Sequence, residues 1–377
     1  ASAAAIAPTI GGMGARLIYA NGPNAGQAYS GEVIRTHLFN TELNDLGNAM
    51  NDLQLAKTFD LATSDLDLRF GYYKSRQSID MDWTWNSYLQ ELSGDDGALL
   101  NVVDRTGAVL SDNGLYAYGV PFWGNCCQRN YDTDYDIDAP YLAASWKASK
   151  WTVDASLRHD GGKATGSFAG TVQSANFDVD GDGVISAPER SVSLIDRGNP
   201  APVNYDWSYT SYSIGANYLW NEDLAGFARV SRGGRANADR LLFGLVQPDG
   251  SVREEDAVDF VDQFEIGAKW RGDKVSLFAT AFLATTEEQN FEATSQRFLD
   301  RTYDSHGLEI EAFSRFGDVT INGGITWTDA EISDDQITPA NVGNTPRRQA
   351  DFVYQVTAAY QRNRYQVGAN LIGTTDA

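Results

Sequence analysis

The sequence is poor in the residues that most often build metal-dependent or redox-active sites. It contains three histidines and three methionines, and its two cysteines, Cys126 and Cys127, are adjacent. Adjacent cysteines have neither the spacing of a zinc site nor that of a CxxC redox motif, so the alternatives are a vicinal disulfide or two thiols. His37, His159 and His306 are too scattered to indicate a metal site or a catalytic triad. We therefore predict that the protein is not an enzyme.

The chain also lacks an excess of basic residues and any long apolar run. Lys and Arg number 29 against 51 Asp and Glu, which gives a net charge of -22. Because a nucleic-acid-binding face needs clustered positive charge, we expect no nucleic-acid partner. A run of about 18 apolar residues is absent, which excludes a helical membrane span. A membrane β-barrel stays open, because its strands need only about ten alternating residues each.

Aromatic residues and glycine are abundant instead, and many segments alternate apolar and polar residues. In FEIGAKWRGDKVSLFATAFLA, Phe264, Ile266 and Trp270 share one face, whereas Glu265 and Lys269 share the other. Such alternation on both sides of a short polar turn predicts a β-hairpin. The sequence predicts about six hairpins, or about twelve strands. The other hairpins are predicted around 60–65, 147–150 and 221–223 and within 308–330 and 353–373.

Long connections separate the predicted hairpins. Short turns and long loops alternate strictly, as they do in outer-membrane barrels with periplasmic turns and extracellular loops. Trp and Tyr near strand ends on the apolar face match interfacial aromatic girdles. Charged and amide side chains on the other face need a hydrated lumen. The long connections are predicted at 88–138, 166–204, 237–258, 292–303 and 333–346.

The predicted fold class is therefore all-β: an antiparallel transmembrane β-barrel with short periplasmic turns and long extracellular loops, surrounded by outer-membrane lipid. The alternative is a soluble β-sandwich or propeller whose polar face is exposed to solvent. We expect residues 1–44 to be an extracellular loop that leads into the first strand.

Four motifs follow one another within residues 203–361. They are a "YSRG"-like run at Val230–Gly234, an "E.G.K" strand at 265–269, a "SxGxExE" strand at 305–311 and a "GG.T.T.A" strand at 323–330. In this order they resemble the C-terminal barrel half of TonB-dependent receptors of the Gram-negative outer membrane. The resemblance implies a 22-stranded barrel, an N-terminal plug, and a Ton box that a periplasmic TonB-type energy-transducing partner pulls.

Parts of that family pattern are missing from the sequence. No segment resembles a plug or a Ton box, and about twelve strands fall short of 22. The chain ends in LIGTTDA, whereas the last strand of such barrels usually ends in an aromatic residue. We therefore expect residues 1–377 to be a partial receptor barrel, with the plug domain, the Ton box and the last strands outside this chain.

The segment NFDVDGDGVISAPER has the twelve-position ligand order of an EF-hand calcium loop. Gly183 at position 6 permits the sharp turn that this loop needs. The flanking sequences are rich in Gly, Ser and β-branched residues, so we expect the loop between strands rather than between helices. Ca²⁺ would brace an extracellular loop there, with a dissociation constant on the order of 0.1 to 1 mM; the alternative is an acidic solvated loop. The predicted ligands are Asp178, Asp180, Asp182, the Val184 carbonyl, Ser186 through a water, and Glu189.

The substrate is predicted from the loops. Aromatic rings among Asn and Asp in 113–141 suit an oligosaccharide, whose C–H faces stack on rings. Arginines suit an anionic ferric siderophore, and the scarcity of histidine argues against haem. Alternatively, the aromatic residues pack the loops on one another. The predicted substrate-binding residues are Tyr116, Tyr118, Phe122, Trp123, Tyr131, Tyr135, Arg232 and Arg235, with Arg229, Arg240, Arg297 and Arg301 as further cations.

The sequence thus predicts an outer-membrane receptor for TonB-linked uptake of a ferric siderophore or an oligosaccharide. Two other functions fit parts of the pattern. A soluble extracellular calcium-binding β-protein, either an adhesin or a carbohydrate-processing protein, would explain the acidity and the aromatic content, but not the lipid-like face of the hairpins. A passive porin would explain that face, but not the receptor-like motifs.

Overall fold

The computed structural model describes residues 1–93, 96–237, 246–292 and 297–375, without the side chains of 290–298. Nearly all of it is antiparallel β-structure. The helices are short: α1 (Ala3–Gly11), α2 (Glu254–Ala257) and 3₁₀ turns at Pro121–Trp123, Pro188–Arg190 and Pro339–Asn341. No helix in these residues is both long enough and apolar enough to cross a membrane.

Eighteen strands are described. In chain order they are β1 (Arg16–Tyr19), β2 (Ala28–Tyr29), β3 (Val33–Leu61), β4 (Ser64–Glu91), β5 (Leu100–Val103), β6 (Leu115–Tyr118), β7 (Arg129–Ala148), β8 (Trp151–Ala169), β9 (Thr171–Ala175), β10 (Ser191–Ile195), β11 (Ala201–Leu219), β12 (Leu224–Ala236), β13 (Val258–Arg271), β14 (Val275–Glu292), β15 (Arg297–Phe316), β16 (Val319–Asp335), β17 (Phe352–Arg362) and β18 (Tyr365–Thr374).

Twelve long strands form one antiparallel sheet. Their order is β3-β4-β7-β8-β11-β12-β13-β14-β15-β16-β17-β18, so each strand lies beside its predecessor among the long strands. Short turns join them in six pairs, which confirms the six predicted hairpins. Within the described residues, β3 pairs only with β4 and β18 only with β17, so these two strands are the edges of the sheet.

One face of this sheet, which we call the outer face, is apolar and exposed. Ile266, Ala281, Leu308 and Trp327 are successive partners across β13 to β16. Ile266 is 52% exposed and Leu308 is 41% exposed. Soluble proteins rarely expose a contiguous apolar surface of this width, whereas a membrane barrel presents one to lipid. The alternation of the sequence is therefore expressed as a lipid-facing belt.

The opposite face, which we call the inner face, carries charged side chains that pair across strands. Arg229 on β12 and Asp154 on β8 form an ion pair of 3.0 Å. Gly215 on β11 lies between them in the register, as the partner of both. Because Gly215 has no side chain, the two long side chains can meet above it. Pairing of this kind suits a hydrated interior.

The strands continue further into the predicted loops than the sequence indicated. The connections predicted at 88–138 and 166–204 are in fact 92–128 and 170–200. The 29 residues of β3 far exceed the 9 to 11 that a tilted membrane strand needs, by about threefold. Beyond the belt the strands no longer alternate between apolar outer-face and polar inner-face residues. The positions of the strand ends therefore could not be predicted from alternation.

Residues 1–44 are not simply a loop, and this expectation was wrong. Helix α1 packs on a separate small sheet of order β2-β1-β5, and β3 already begins at Val33. Ile6, Leu17, Leu100 and Val102 are buried together in its core. We call this unit (residues 1–29 and 99–111) the cap; it lies at the long-loop end of the sheet, beside the last residues of β4.

Candidate functional site

The predicted calcium loop projects from the long-loop end of the sheet. It lies between β9 and β10, which pair with each other as an antiparallel ribbon. Val192 of β10 also pairs with Tyr118 of β6, and β6 pairs with β4. We call β9, β10 and the loop between them the arm. The loop therefore lies between strands, as the flanking sequences predicted, and it is tied to the barrel wall through β6.

The three aspartates of the loop converge. Asp178, Asp180 and Asp182 each offer a carboxylate oxygen, and these oxygens lie within 4.8 Å of one another. Asp178 accepts hydrogen bonds from the Gly181 amide at 2.8 Å and the Gly183 amide at 2.9 Å. Gly183 has a φ of +82°, a conformation that glycine adopts without steric cost.

Glu189 closes the loop from the other side. Its Oε1 accepts the Val179 amide at 2.7 Å, and its Oε2 accepts the amide and hydroxyl of Ser186 at 2.9 and 2.7 Å. Glu189 is only 1% exposed. The Ser186 amide and hydroxyl, followed by the Val179 amide, hold the pKa of Glu189 below its usual range. Val184, the predicted carbonyl ligand, donates its own amide to Asp182 at 2.6 Å. The three aspartates offer the oxygen donors that a hard cation such as Ca²⁺ prefers, whereas Glu189 lies outside the group of carboxylates that converge.

The predicted substrate-binding tyrosines lie in three different places. Tyr116 is buried in the core of the cap. Tyr131 and Tyr135 are buried in a second apolar cluster together with Val203, Tyr205 and Trp207. Tyr118 is partly buried beside the arm, where burial and then the carboxylates of Glu189 and Asp180 raise its pKa from 10.0 to about 12. Tyr116, Tyr131 and Tyr135 therefore pack the extracellular end of the protein.

Arg232 and Arg235 are engaged with acidic partners. Arg232 Nη1 lies 3.1 Å from Asp262, and its guanidinium carbon lies 4.1 Å from the ring centroid of Phe260. Arg235 Nη2 lies 2.5 Å from Asp259, which is almost fully buried. These ion pairs brace β12 against β13. Of the further cations, Arg240 and the side chain of Arg297 lie outside the described residues, Arg229 pairs with Asp154, and Arg301 pairs with Asp335.

Phe122 and Trp123 belong to a group of rings at the extracellular end of β3 and β4. Trp85 stacks on Phe39 with ring centroids 4.9 Å apart, and Trp123 meets Trp85 edge-on at 6.0 Å. Trp83 lies 5.8 Å from Phe39. We call Phe39, Trp83, Trp85, Phe122 and Trp123 the aromatic strip. Phe39 is 49% exposed and Phe122 is 43% exposed, so ring faces are accessible to a ligand.

Cationic groups surround the aromatic strip. The Arg35 guanidinium carbon lies 3.3 Å from the ring centroid of Phe122, and that of Arg129 lies 4.4 Å from the ring centroid of Trp83. The His37 ring lies 5.3 Å from the Trp123 ring, but burial and then the charge of Arg35 lower the pKa of His37, so the arginines carry the positive charge. Local positive charge is notable in a chain of net charge -22. The arrangement can stack on a flat group and attract its negative charge at the same time.

Sequence reasoning found only part of the aromatic strip. The segment DWTWN places Trp83 and Trp85 on one face of a strand, and that alternation was the available signal. The contact of Trp85 with Trp123 joins residues almost forty positions apart through a loop, and no local pattern encodes such a contact.

The predicted disulfide residues lie beside the strip. In the structure the Sγ atoms of Cys126 and Cys127 are bonded to each other. They follow the 3₁₀ turn Pro121–Trp123, which carries the two loop residues of the aromatic strip.

Comparison with known proteins identifies the fold. A family model described as "TonB dependent receptor-like, beta-barrel" matches residues 8–377. The ferric citrate transporter FecA in its unliganded form has a TM-score of 0.54 at 12% identity, over 92% of this chain and 44% of that one. Its likeness shows the same fold. The chain spans about half the length of the solved structures it matches. A search among curated proteins found no match.

Two other solved structures have lower scores. The ferric yersiniabactin uptake receptor FyuA from Yersinia pestis has a TM-score of 0.49 at 13% identity, over 90% of this chain and 50% of that one. The siderophore receptor PiuA from Acinetobacter baumannii has a TM-score of 0.46 at 14% identity, over 87% and 54% respectively.

Proposed function

Since this chain belongs to the TonB-dependent receptor family, we propose that it forms part of a receptor for energised uptake of a ferric siderophore or an oligosaccharide. Members of this family are transporters of the Gram-negative outer membrane and not enzymes; they bind ligands such as siderophores and interact with TonB. The coupling of this protein to a TonB-type partner, through a segment outside residues 1–377, is part of the proposal.

The edges of the sheet support a larger barrel. Strands β3 and β18 each pair on one side only within the described residues. Each backbone N–H or C=O group left without a hydrogen-bond partner in lipid costs several kcal/mol. A sheet that spans a membrane therefore closes into a barrel, which has no unpaired edge. We therefore propose that further strands complete the barrel beyond β3 and β18, and that a plug domain fills it. These parts lie outside residues 1–377.

The observation that favours a ferric siderophore is the combination of rings and cations in the aromatic strip. Arg35 is exposed above Phe122, and the Arg129 guanidinium lies over the Trp83 ring. An anionic metal chelate with flat ligand groups gains both stacking and charge attraction at such a surface. A neutral sugar gains only the stacking. The anionic chelate is therefore the preferred ligand class.

The half-exposed ring of Phe39 keeps an oligosaccharide as the second candidate. An exposed ring face can stack on the C–H face of a sugar whatever its charge. The cations near the strip would contribute little to that ligand, so salt dependence separates the two. Binding of an anionic chelate weakens as ionic strength rises, whereas stacking of a neutral sugar does not.

We also propose that the arm binds Ca²⁺ through Asp178, Asp180, Asp182, Glu189, the Val184 carbonyl and a water held by Ser186. Converging carboxylate oxygens and the glycine turn support this assignment. The ion would brace the arm against β6 and so hold the extracellular end of the barrel in one arrangement. It would be structural, because the loop is flanked by strands and has no helix pair to open.

Direct binding tests the ligand assignment. The whole receptor in detergent would be titrated with ferric chelates of different charge and with neutral oligosaccharides, and tryptophan fluorescence would report binding. Arg35→Gln is expected to weaken the binding of an anionic chelate by about tenfold, or about 1.4 kcal/mol, near the lower end of the range for a hydrogen bond to a charged group. Arg105→Gln, on the cap, is the matched control. Equal affinity of Arg35→Gln and the unaltered protein for every chelate that binds would refute the assignment.

A further inference from the structure

The segment 119–128, which we call the latch loop, connects the aromatic strip to the arm. Its 3₁₀ turn carries Phe122 and Trp123, and no residue of that turn is buried. Val120, directly before the turn, is fully buried, so a core contact holds the turn on that side only. Its position depends on contacts at the two ends of the latch loop and on the ring contacts that it makes itself.

The first anchor is the side chain of Gln128. Its Oε1 accepts the backbone amide of Trp85 at 2.5 Å, and its Nε2 donates to the backbone oxygen of Trp85 at 3.0 Å. The same Nε2 donates to the backbone oxygen of Ser193 on β10 at 3.1 Å. Gln128 is 3% exposed. The side-chain amide of Gln128 thus links β4 to the arm with the hydrogen bonds that a neighbouring strand backbone would otherwise make.

The second anchor is the backbone around Asn125. Its carbonyl oxygen accepts the Ser193 hydroxyl at 3.0 Å and the Gln173 amide at 3.1 Å. Its amide donates to the Val120 oxygen at 3.0 Å, and the Val120 amide donates to the Cys126 oxygen at 3.0 Å. These bonds close the segment from Val120 to Cys126 into a compact turn, which holds Trp123 against Trp85.

The disulfide lies directly between the two anchors. Cys126 follows Asn125, and Cys127 precedes Gln128. A bond between adjacent side chains closes a small ring that restricts the backbone of both residues, so the orientations of Asn125 and Gln128 depend on it. The covalent state of this pair therefore acts on the polar contacts that Asn125 and Gln128 make with the wall and the arm.

We propose that Cys126 and Cys127 form a thiol-sensitive latch, whose disulfide state places Trp123 in the aromatic strip and whose reduced state releases it. Two molecules of a small thiol supply two electrons and two protons. The Cys126–Cys127 Sγ–Sγ bond breaks, each cysteine ends as a thiol, and the two reagent molecules become one disulfide. The inference goes beyond the proposed uptake function, and it concerns the position of Trp123 with or without a ligand.

The test measures the accessibility of Trp123 in the whole receptor, purified in detergent, before and after treatment with a small thiol. Alkylation and mass spectrometry confirm that both cysteines have been reduced. Acrylamide quenching of tryptophan fluorescence is expected to rise on reduction in the unaltered protein. The rise should be lost in Trp123→Phe and retained in Trp151→Phe, which removes a ring on the outer face.

A variant with both Cys126→Ser and Cys127→Ser separates the latch from other effects of the reagent. We expect its acrylamide quenching to equal that of the reduced protein and to stay the same after thiol treatment. Its β-sheet circular dichroism should match that of the unaltered protein. Unchanged quenching after verified reduction would overturn the proposal. An equal rise in Trp123→Phe would overturn it as well, because the moving ring would then lie elsewhere. Neither outcome bears on whether the protein binds a chelate.

Discussion

Gly267 on β13 lies directly opposite Phe227 on β12, and a Cβ at residue 267 would lie 2.5 Å from Cε1 of the Phe227 ring. The ring covers the glycine backbone on the inner face. The same relationship joins Gly307 to Phe282 across β14 and β15. These residues are the glycines of the "E.G.K" and "SxGxExE" motifs. Their role is therefore physical: each provides room for an aromatic side chain of the preceding strand.

Gly267→Ala is expected to destabilise the barrel by about 1 to 3 kcal/mol, as overpacking of a filled site does. The added methyl group would meet both the Phe227 ring and the backbone oxygen of Ala279, and the backbone cannot rotate away. Gly324→Ala, also on the inner face, is the control, because its nearest neighbours lie at 3.6 and 3.7 Å. Urea unfolding in detergent measures both. Equal stability of the two variants would contradict the packing argument.

Neighbouring residues of β15 test the assignment of the two faces. Ile310 is exposed on the outer face and pairs with Ile325, whereas Glu309 lies on the inner face. Ile310→Arg is expected to cost about 2 to 4 kcal/mol, the depth-dependent cost of a charge in the lipid belt. Glu309→Arg should cost much less, because the inner face is hydrated. The measurement is unfolding in lipid vesicles, and a larger loss for Glu309→Arg would reverse the assignment.

Calcium is expected to protect the arm from trypsin, which can cleave after Arg190 within the arm and after Arg197 just beyond it. Asp178→Asn and Glu189→Gln each remove a proposed ligand charge and should abolish the difference between calcium and chelator. Asp249→Asn is the control, because Asp249 lies in a different loop, where it accepts hydrogen bonds from the amide and hydroxyl of Ser251. The protection should appear at calcium concentrations on the order of 0.1 to 1 mM. Protection that survives in Asp178→Asn would show that the ion binds elsewhere.

Tyr118 provides a test of pH dependence outside the membrane. Burial, followed by Glu189 and Asp180, raises its pKa from 10.0 to about 12. Between these two values the folded protein keeps a proton that the unfolded chain loses, so stability falls as the pH rises through this window. Calcium would neutralise the two carboxylates and should therefore lower the pKa of Tyr118, although burial keeps it raised.

The phenolate absorbance of the unaltered protein, minus that of Tyr118→Phe, isolates this titration. We expect a midpoint near pH 12 with chelator and a lower one with calcium. A midpoint that calcium leaves unchanged would separate Tyr118 from the proposed ion site, and a midpoint near pH 10.0 with chelator would contradict the burial and charges described here.

The hairpins could be predicted because a lipid belt imposes a strict period of two. Leu308, Ile310 and Ala312 must alternate with Glu309 and Glu311 when one face meets lipid and the other water. The strand ends could not, since above the belt the side chains no longer follow the pattern of apolar outer face and polar inner face. In β7, Asp132, Asp134 and Asp136 lie on one face opposite buried tyrosines, and this reverses the expected polarity.

The cap was missed and the aromatic strip was found only in part, for different reasons. Helix α1 contains Pro8 and ends at glycine, and β2 has only two residues, so local propensity gives a weak signal. The strip depends on contacts between distant segments, such as that of Phe39 with Trp85, and only the register of β3 with β4 creates them. The twelve-position loop was recognisable because its predicted ligands lie within one short stretch of the sequence.

The intact mass of the protein isolated from outer membranes tests the central proposal most directly. Residues 1–377 have a mass of 41.2 kDa, and they cover 44% of the FecA chain. A mass about twice that of residues 1–377, with additional sequence that forms a plug, is the result expected for an energised receptor whose barrel continues beyond β3 and β18. A mass of 41.2 kDa in the membrane would contradict it, and would leave a smaller barrel in which β3 and β18 must close by another route.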